Sequence, residues 1–268
     1  MTSETRRPAE RAQLTLDLAY AFDQPAHDLD IELRVRPLRA TDTGLPSIRL
    51  ASEPEGRFDP PVVNGNGGVV DRLRLAGPAL RLRLNASFDH PVDPDAALPA
   101  LAPTPADLVL EGLLDPTRST PWPQALADLR QSWRYSDEPR YQRQALQEIA
   151  QRRVGSCEAI ARLAIEIIRA RNIPARFVGG YRLAGPSGDT RPVRRHAWIA
   201  IWEGSQWRML DPLAPSAAGQ CLIPTAFASR LPEIATIQGS FKGAGTARLT
   251  VSAHAQRYRA SVERGHSP

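Results

Sequence analysis

The chain has 268 residues, 42% hydrophobic and 24% charged, enough for one large or two modest packed domains and unlike a disordered or fibrous sequence. Its net charge of +5 rests almost wholly on arginine, with Lys242 the sole lysine. No DNA- or RNA-reading motif accompanies that charge, so nucleic-acid binding is not expected.

Residues 1–12 are charged and aperiodic and read as a disordered tail. Leu14 to Phe22 alternates apolar and polar residues like a half-buried strand; Asp23-Gln24-Pro25 then reads as a turn, and Asp30 to Pro37 alternates again. Ile48 to Leu50 and Arg57-Phe58 continue the β pattern. Asn64-Gly65-Asn66-Gly67 signals a hairpin, since glycine and asparagine accept positive φ cheaply. Arg72 to Leu75 and Leu80 to Leu84 close this region with period two. Residues 13–95 are therefore expected to form an antiparallel β-sandwich domain.

A proline-rich stretch follows, with a linker expected over 96–110 and a short helix beginning at Thr104. Pro121 to Arg134 predicts a helix with Trp122, Leu126, Leu129 and Trp133 as its apolar points. Tyr141 to Arg153 predicts another. The next helix is strongly amphipathic: Ser156 stands at its N-cap, Cys157 in its first turn, and Ile160, Leu163, Ala164, Ile167 and Ile168 recur at helical spacing. Asn172 and the Ile173-Pro174 step end it. Ala175 to Val178 reads as a buried strand closing on Gly179-Gly180.

Leu183 to Val193 is polar and reads as an exposed loop. Arg195 to Trp202 is then a strand with His196 at its start, and Trp207 to Leu210 its hairpin partner, ending in Asp211-Pro212. Such a hairpin brings His196 and Asp211 to one end. Trp198, Trp202 and Trp207 are expected in the core and across the hairpin. Strands near Leu222-Ile223 and over Arg248 to Ala255 complete a core expected over 111–260, with a tail at 261–268.

Cys157 sits where unpaired helix N–H groups favour a thiolate. A thiol, an imidazole and a carboxylate then supply a nucleophile, a base and a group that orients the base. Cys221 reads as a small buried residue, and two cysteines so far apart make no disulfide framework. The other histidines lack metal-ligand spacing, so neither metal nor cofactor is expected. Without an apolar leader or a run of roughly 20 apolar residues, the sequence predicts a cytoplasmic protein with no membrane contact.

Gly155-Ser156-Cys157, His196-Ala197-Trp198 and Asp211-Pro212, in that order, resemble the motifs of the transglutaminase-like superfamily, relatives of the papain-type cysteine proteases. The phrase Ile173 to Tyr181 is also similar. Tyr20 to Pro25, Leu33 to Pro37 and Asn64 to Asn66 resemble the N-terminal β-domain of bacterial members. The resemblance implies an α+β fold, in which a β-sandwich domain precedes a papain-like core of helices packed on an antiparallel sheet. It also implies a triad of Cys157, His196 and Asp211.

The implied reaction is attack on a peptide, protein or amide substrate through a thioester. Water then completes a hydrolysis, or an amine acceptor completes an amide-forming transfer; a catalytically silent binding module is the third reading. Trp133, Tyr135 and Gln151 are candidates for the second oxyanion donor, beside the Cys157 backbone N–H. The sequence departs from the family at Glu158-Ala159 after the cysteine, at Arg194-Arg195 before the histidine, at Leu213-Ala214 after Asp211-Pro212, and at Ser229-Arg230. The paired arginines point to an acidic substrate or an aid to the thiolate.

Overall fold

One long strand sets the architecture. In the computed structural model, which describes residues 10–38, 47–91, 98–111, 120–138, 144–183, 190–214 and 221–259, β1 runs unbroken over Glu10–Leu33. Its first half pairs antiparallel with β5 (Ala79–Pro91) and its second with β4 (Val69–Leu75). The expected turn at Asp23-Gln24-Pro25 is instead a bend within this strand. The register slips between Ala21 and Ala26 and again between His27 and Asp30, and Asp28 takes φ 47°. Unpaired residues at such slips let a strand swing from one layer to another without reversing.

β2 (Ile48–Glu53) pairs with β5, and β3 (Arg57–Val63) forms a hairpin with β4. At the hairpin tip the Asn64 side chain accepts the Asn66 and Gly68 N–H groups at 3.0 and 2.9 Å. The positive φ falls on Gly67. Leu14, Leu16 and Leu18 from one half of β1 share a core with Leu29, Ile31 and Leu33 from the other. The predicted sandwich is thus realised as a single sheet, bent through β1 around its own apolar filling. The strand begins at Glu10, inside the segment expected to be a tail; residues 1–9 lie outside the described ones.

Next come a 3-10 turn at Pro105–Leu108, α1 (Trp122–Gln131), β6 (Arg134–Tyr135), α2 (Leu146–Arg152), β7 (Val154–Gly155) and α3 (Cys157–Arg169). Most of the first part of the predicted 141–153 helix lies outside the described residues. β8 (Ala175–Leu183) continues through Gly179-Gly180 instead of stopping there. It has β10 (Arg195–Trp202) on one side and β12 (Cys221–Ala228) on the other, and β11 (Trp207–Leu210) pairs with β10. One face of this sheet, with Phe177, Ala197 and Ile199, packs on the apolar side of α3. Trp198 and Phe227 lie in a separate cluster with Trp207, whose ring meets that of Trp202 edge-on at 5.3 Å.

The two sheets are joined. Tyr181, Leu183, Cys221 and Ile223 fill the same core as β1. β9 (Thr190–Pro192) lies in the stretch expected to be an exposed loop and pairs with the last strand, β14 (Ala247–Arg259). β14 itself lies along β1 from Glu10 to Phe22, and β13 (Ile237–Lys242) also pairs with β1. The chain's end therefore returns to the first sheet.

A buried ion pair fixes the proline-rich crossover. Arg176 on β8 grips Asp107 through Nε and Nη2 at 2.7 and 2.9 Å, the two side chains being 2% and 0% exposed. Trp207 and Phe227 each place a ring 4.8 Å from its guanidinium carbon. Burial alone would push the Asp107 carboxyl up. Hydrogen bonds from Arg176, Ser229 and the Thr104 backbone outweigh it and hold the carboxyl below its ordinary value.

Candidate active site

Cys157 is placed by the backbone before it. Gly155 takes φ +158°, and a Cβ there would lie 2.8 Å from the Ala159 methyl, so glycine lets the chain enter the helix tightly. Ser156 follows in extended conformation as N-cap, although its hydroxyl makes no capping bond, and Cys157 is the first helical residue. Its own N–H has no carbonyl four residues back within the helix to bond. The side chain is half-buried, whereas Cys221 is buried.

His196 enters on β10 opposite Gly180 of β8. A Cβ at Gly180 would lie 2.0 Å from the Ile223 carbonyl oxygen and 2.9 Å from Cη2 of Trp198, so only glycine lets three strands and the indole close up there. The imidazole stacks on Trp198 with centroids 5.7 Å apart and holds Asp211 at 2.7 Å from Nε2 to Oδ2. Both side chains are buried. The other carboxylate oxygen of Asp211, Oδ1, accepts the Leu213 N–H at 2.9 Å, while Arg182 Nη1 stands 3.5 Å from Oδ2. Asp211 is thus a turn former as well as the partner of the imidazole.

The structure brings all three predicted residues together. Burial works against a charge on His196, but hydrogen bonds to Asp211 and to the Cys157 thiol, with the charges of both, raise the imidazole from 6.5 to about 9. Since Nε2 is engaged by Asp211, Nδ1 is the nitrogen left to face the thiol. An imidazole held between a carboxylate and a thiol can take the thiol proton and later return it to a leaving group. Among the described residues no cluster of metal-ligating side chains occurs.

Of the three candidate oxyanion donors, Tyr135 is the best placed. β6 pairs in parallel with β7, setting Tyr135 beside Gly155, and its side chain reaches the wall of the cleft that holds His196. Burial raises its phenol above the ordinary value, aided by the nearby Cys157 and Asp137, while a hydrogen bond with Arg194 pulls the other way. Trp133 Nε1 is buried without a partner, its ring against Gly155, while Gln151 is exposed on α2.

The sequence singled out Arg194 and Arg195, but not the pairing of Arg195 or the place of Arg182 beside them. Arg195 makes an ion pair with Glu158, so the neighbour of the histidine is tied to the neighbour of the cysteine. The cleft of about 490 Å³ is lined by Arg182, Arg194 and Arg195 as well as Tyr135 and His196. Its rim is anchored from outside, where β9 lies on β14 and the Val193 N–H bonds the Ala253 carbonyl at 2.8 Å.

Comparison with known proteins bears on residues 116–212 and on the fold. Residues 116–212 match the family model of the transglutaminase-like superfamily, so the chain carries a transglutaminase-like core domain. A solved structure from Cytophaga hutchinsonii, described as a candidate cysteine protease, superposes with a TM-score of 0.68 at 16% identity, over 95% of this chain and 92% of that one. The whole α+β architecture, first sheet included, is therefore shared with it.

An uncharacterized protein of Mycobacterium leprae is 30% identical over 100 residues, 36% of this chain and 36% of its own. One from Mycobacterium tuberculosis is 36% identical over 74 residues, 24% of each. The chain thus spans only about a third or less of these curated relatives' length.

Proposed function

We propose that the protein is a thiol acyl-transfer enzyme acting on a peptide or amide bond, with Cys157 as nucleophile, His196 as general base and acid, and Asp211 as the residue that orients the imidazole. The observation that carries this reading is the buried His196–Asp211 hydrogen bond of 2.7 Å beside a cysteine on the first turn of a helix.

His196, protonated below about pH 9, already holds the proton given up by the thiol when Sγ bonds the carbonyl carbon, and the carbonyl π pair moves to oxygen. The Cys157 N–H and the Tyr135 hydroxyl are the donors for that oxyanion. Collapse breaks the C–N bond, with the imidazolium giving its proton to the departing amine, and a thioester remains. Water then yields its proton to His196, attacks the thioester carbon and releases a carboxylic acid with the thiol restored. Hydrolysis is the leading outcome because Cys157 is only half-buried and its partner His196 lines the cleft, where water outnumbers any amine. An amine entering instead of water gives an amide.

The test is a peptide library incubated with the protein in the presence and absence of a fluorescent primary amine, with products read by mass spectrometry. Cleaved peptides without amine adducts support hydrolysis, and adducts at the expense of acid support transfer. Turnover that persists in Cys157→Ala would overturn the reading.

A further inference from the structure

We propose that the cleft selects a substrate bearing a carboxylate beside the scissile amide, an acidic peptide, which deepens and rests on the acyl-transfer reading above. Three of the described residues lining the cleft are arginines, His196 adds a fourth cationic group, and none of the described lining residues is acidic. The carboxylates that balance these arginines are not part of that lining. Arg182 leans on Asp211, Arg194 pairs with Asp137, and Arg195 pairs with Glu158.

Those partners reduce the net charge but hold the guanidiniums in place. The ordering cost of binding an anion is then already met. A guanidinium has five N–H donors in a planar fork matched to a carboxylate. Arg182 uses Nη1 toward Asp211, and Arg194 uses Nη1 toward Asp137 and also hydrogen-bonds the Tyr135 hydroxyl; with five N–H donors apiece, each retains positions for a ligand. Leu213 and Pro192 supply apolar wall beside them. The rim is also rigid, since β9 is paired with β14 immediately before Arg194. A cleft built for neutral peptides has no need of three such groups around one imidazole.

The test compares two alkylating reagents with the same reactive carbon, anionic iodoacetate and neutral iodoacetamide. Their rates at Cys157 are mapped by peptide mass spectrometry and divided by the same rates for N-acetylcysteine. The expected iodoacetate preference is about tenfold or more, and it falls toward the free-thiol value as NaCl rises from low to high, because screening weakens exposed charge. His196 contributes to that preference, so the deciding change is on the rim.

Arg194→Gln and Arg195→Gln should each lower the preference by roughly threefold to tenfold with His196 intact, the size expected for one charge a few ångströms from another at a protein surface. Arg194, 78% exposed, gives a variant that folds even if Arg195→Gln does not. A Cys157 that reacts rapidly with iodoacetamide but shows no preference, or one unchanged in Arg194→Gln, overturns the acidic-substrate inference and leaves the enzyme reading standing. A Cys157 inert to both reagents overturns the two together.

Discussion

Replacing Asp211 by Asn keeps a hydrogen-bond acceptor 15 residues from His196 in sequence but removes the charge beside the imidazole. The change from 6.5 to about 9 at His196 corresponds to roughly 3 kcal/mol favouring the protonated ring, at ~1.4 kcal/mol per pH unit. Asp211 supplies the leading stabilising contribution against the cost of burial, ahead of the thiol. Asp211→Asn should therefore lower the His196 pKa by about one unit or more.

The sign follows from linkage. A folded-state value above the unfolded one stabilises the fold fully below about pH 6.5, and that stability is lost as pH rises through about 9. Wild-type protein should lose up to roughly 3 kcal/mol across this window, and the variant distinctly less. Turnover should decline above pH 9 in the wild type, where no imidazolium remains to protonate the leaving amine, and at lower pH in the variant. Ring-carbon NMR titration of His196 reads the shift directly, and urea unfolding against pH reads the linkage. A His196 pKa that moves by less than about 0.3 in Asp211→Asn would refute the assignment of the charge's origin.

Three other outcomes follow from packing and pairing. Arg176→Met leaves Asp107 buried without its cation and should cost about 3–5 kcal/mol in urea unfolding, most of it regained in Arg176→Met/Asp107→Leu; a double variant as unstable as the single would contradict the account. Gly180→Ala forces a methyl into the Ile223 carbonyl and Trp198, and should lower stability by roughly 1–3 kcal/mol or more in a thermal melt. Glu158→Gln unties Arg195 and should slow alkylation of Cys157 several-fold while stability changes by less than about 1 kcal/mol, since the pair is partly exposed; unchanged reactivity would show that the pair does not position the cysteine and histidine.

The site was legible in the sequence because each of its parts is locally encoded. Gly155-Ser156 starts a helix at Cys157, and the 199–210 hairpin register puts Asp211 at the same end as His196. The strands of the first sheet were legible through their period of two. What alternation cannot reveal is pairing: Asp23-Gln24-Pro25 has turn chemistry, yet long-range partners on both sides keep β1 in one piece. For the same reason Thr190–Pro192 looked like loop, since a three-residue strand has no periodicity of its own and forms only because β14 lies beside it. Glu158 and Arg195 stood out one at a time as departures from the family motif. Only the fold joins them, each offsetting the other's charge. Arg182 carried no signal at all; it reaches the cleft because β8 runs on past its two glycines.

The most direct test of the central claim is stoichiometric acylation by p-nitrophenyl acetate, with the acetylated residue located by peptide mass spectrometry in wild-type protein and in His196→Ala. The account predicts a burst of one nitrophenolate per chain, the acetyl group on Cys157 and not on buried Cys221, and a burst slowed by roughly a hundredfold or more without the imidazole. Acetylation absent from Cys157, or equally fast in His196→Ala, would contradict it.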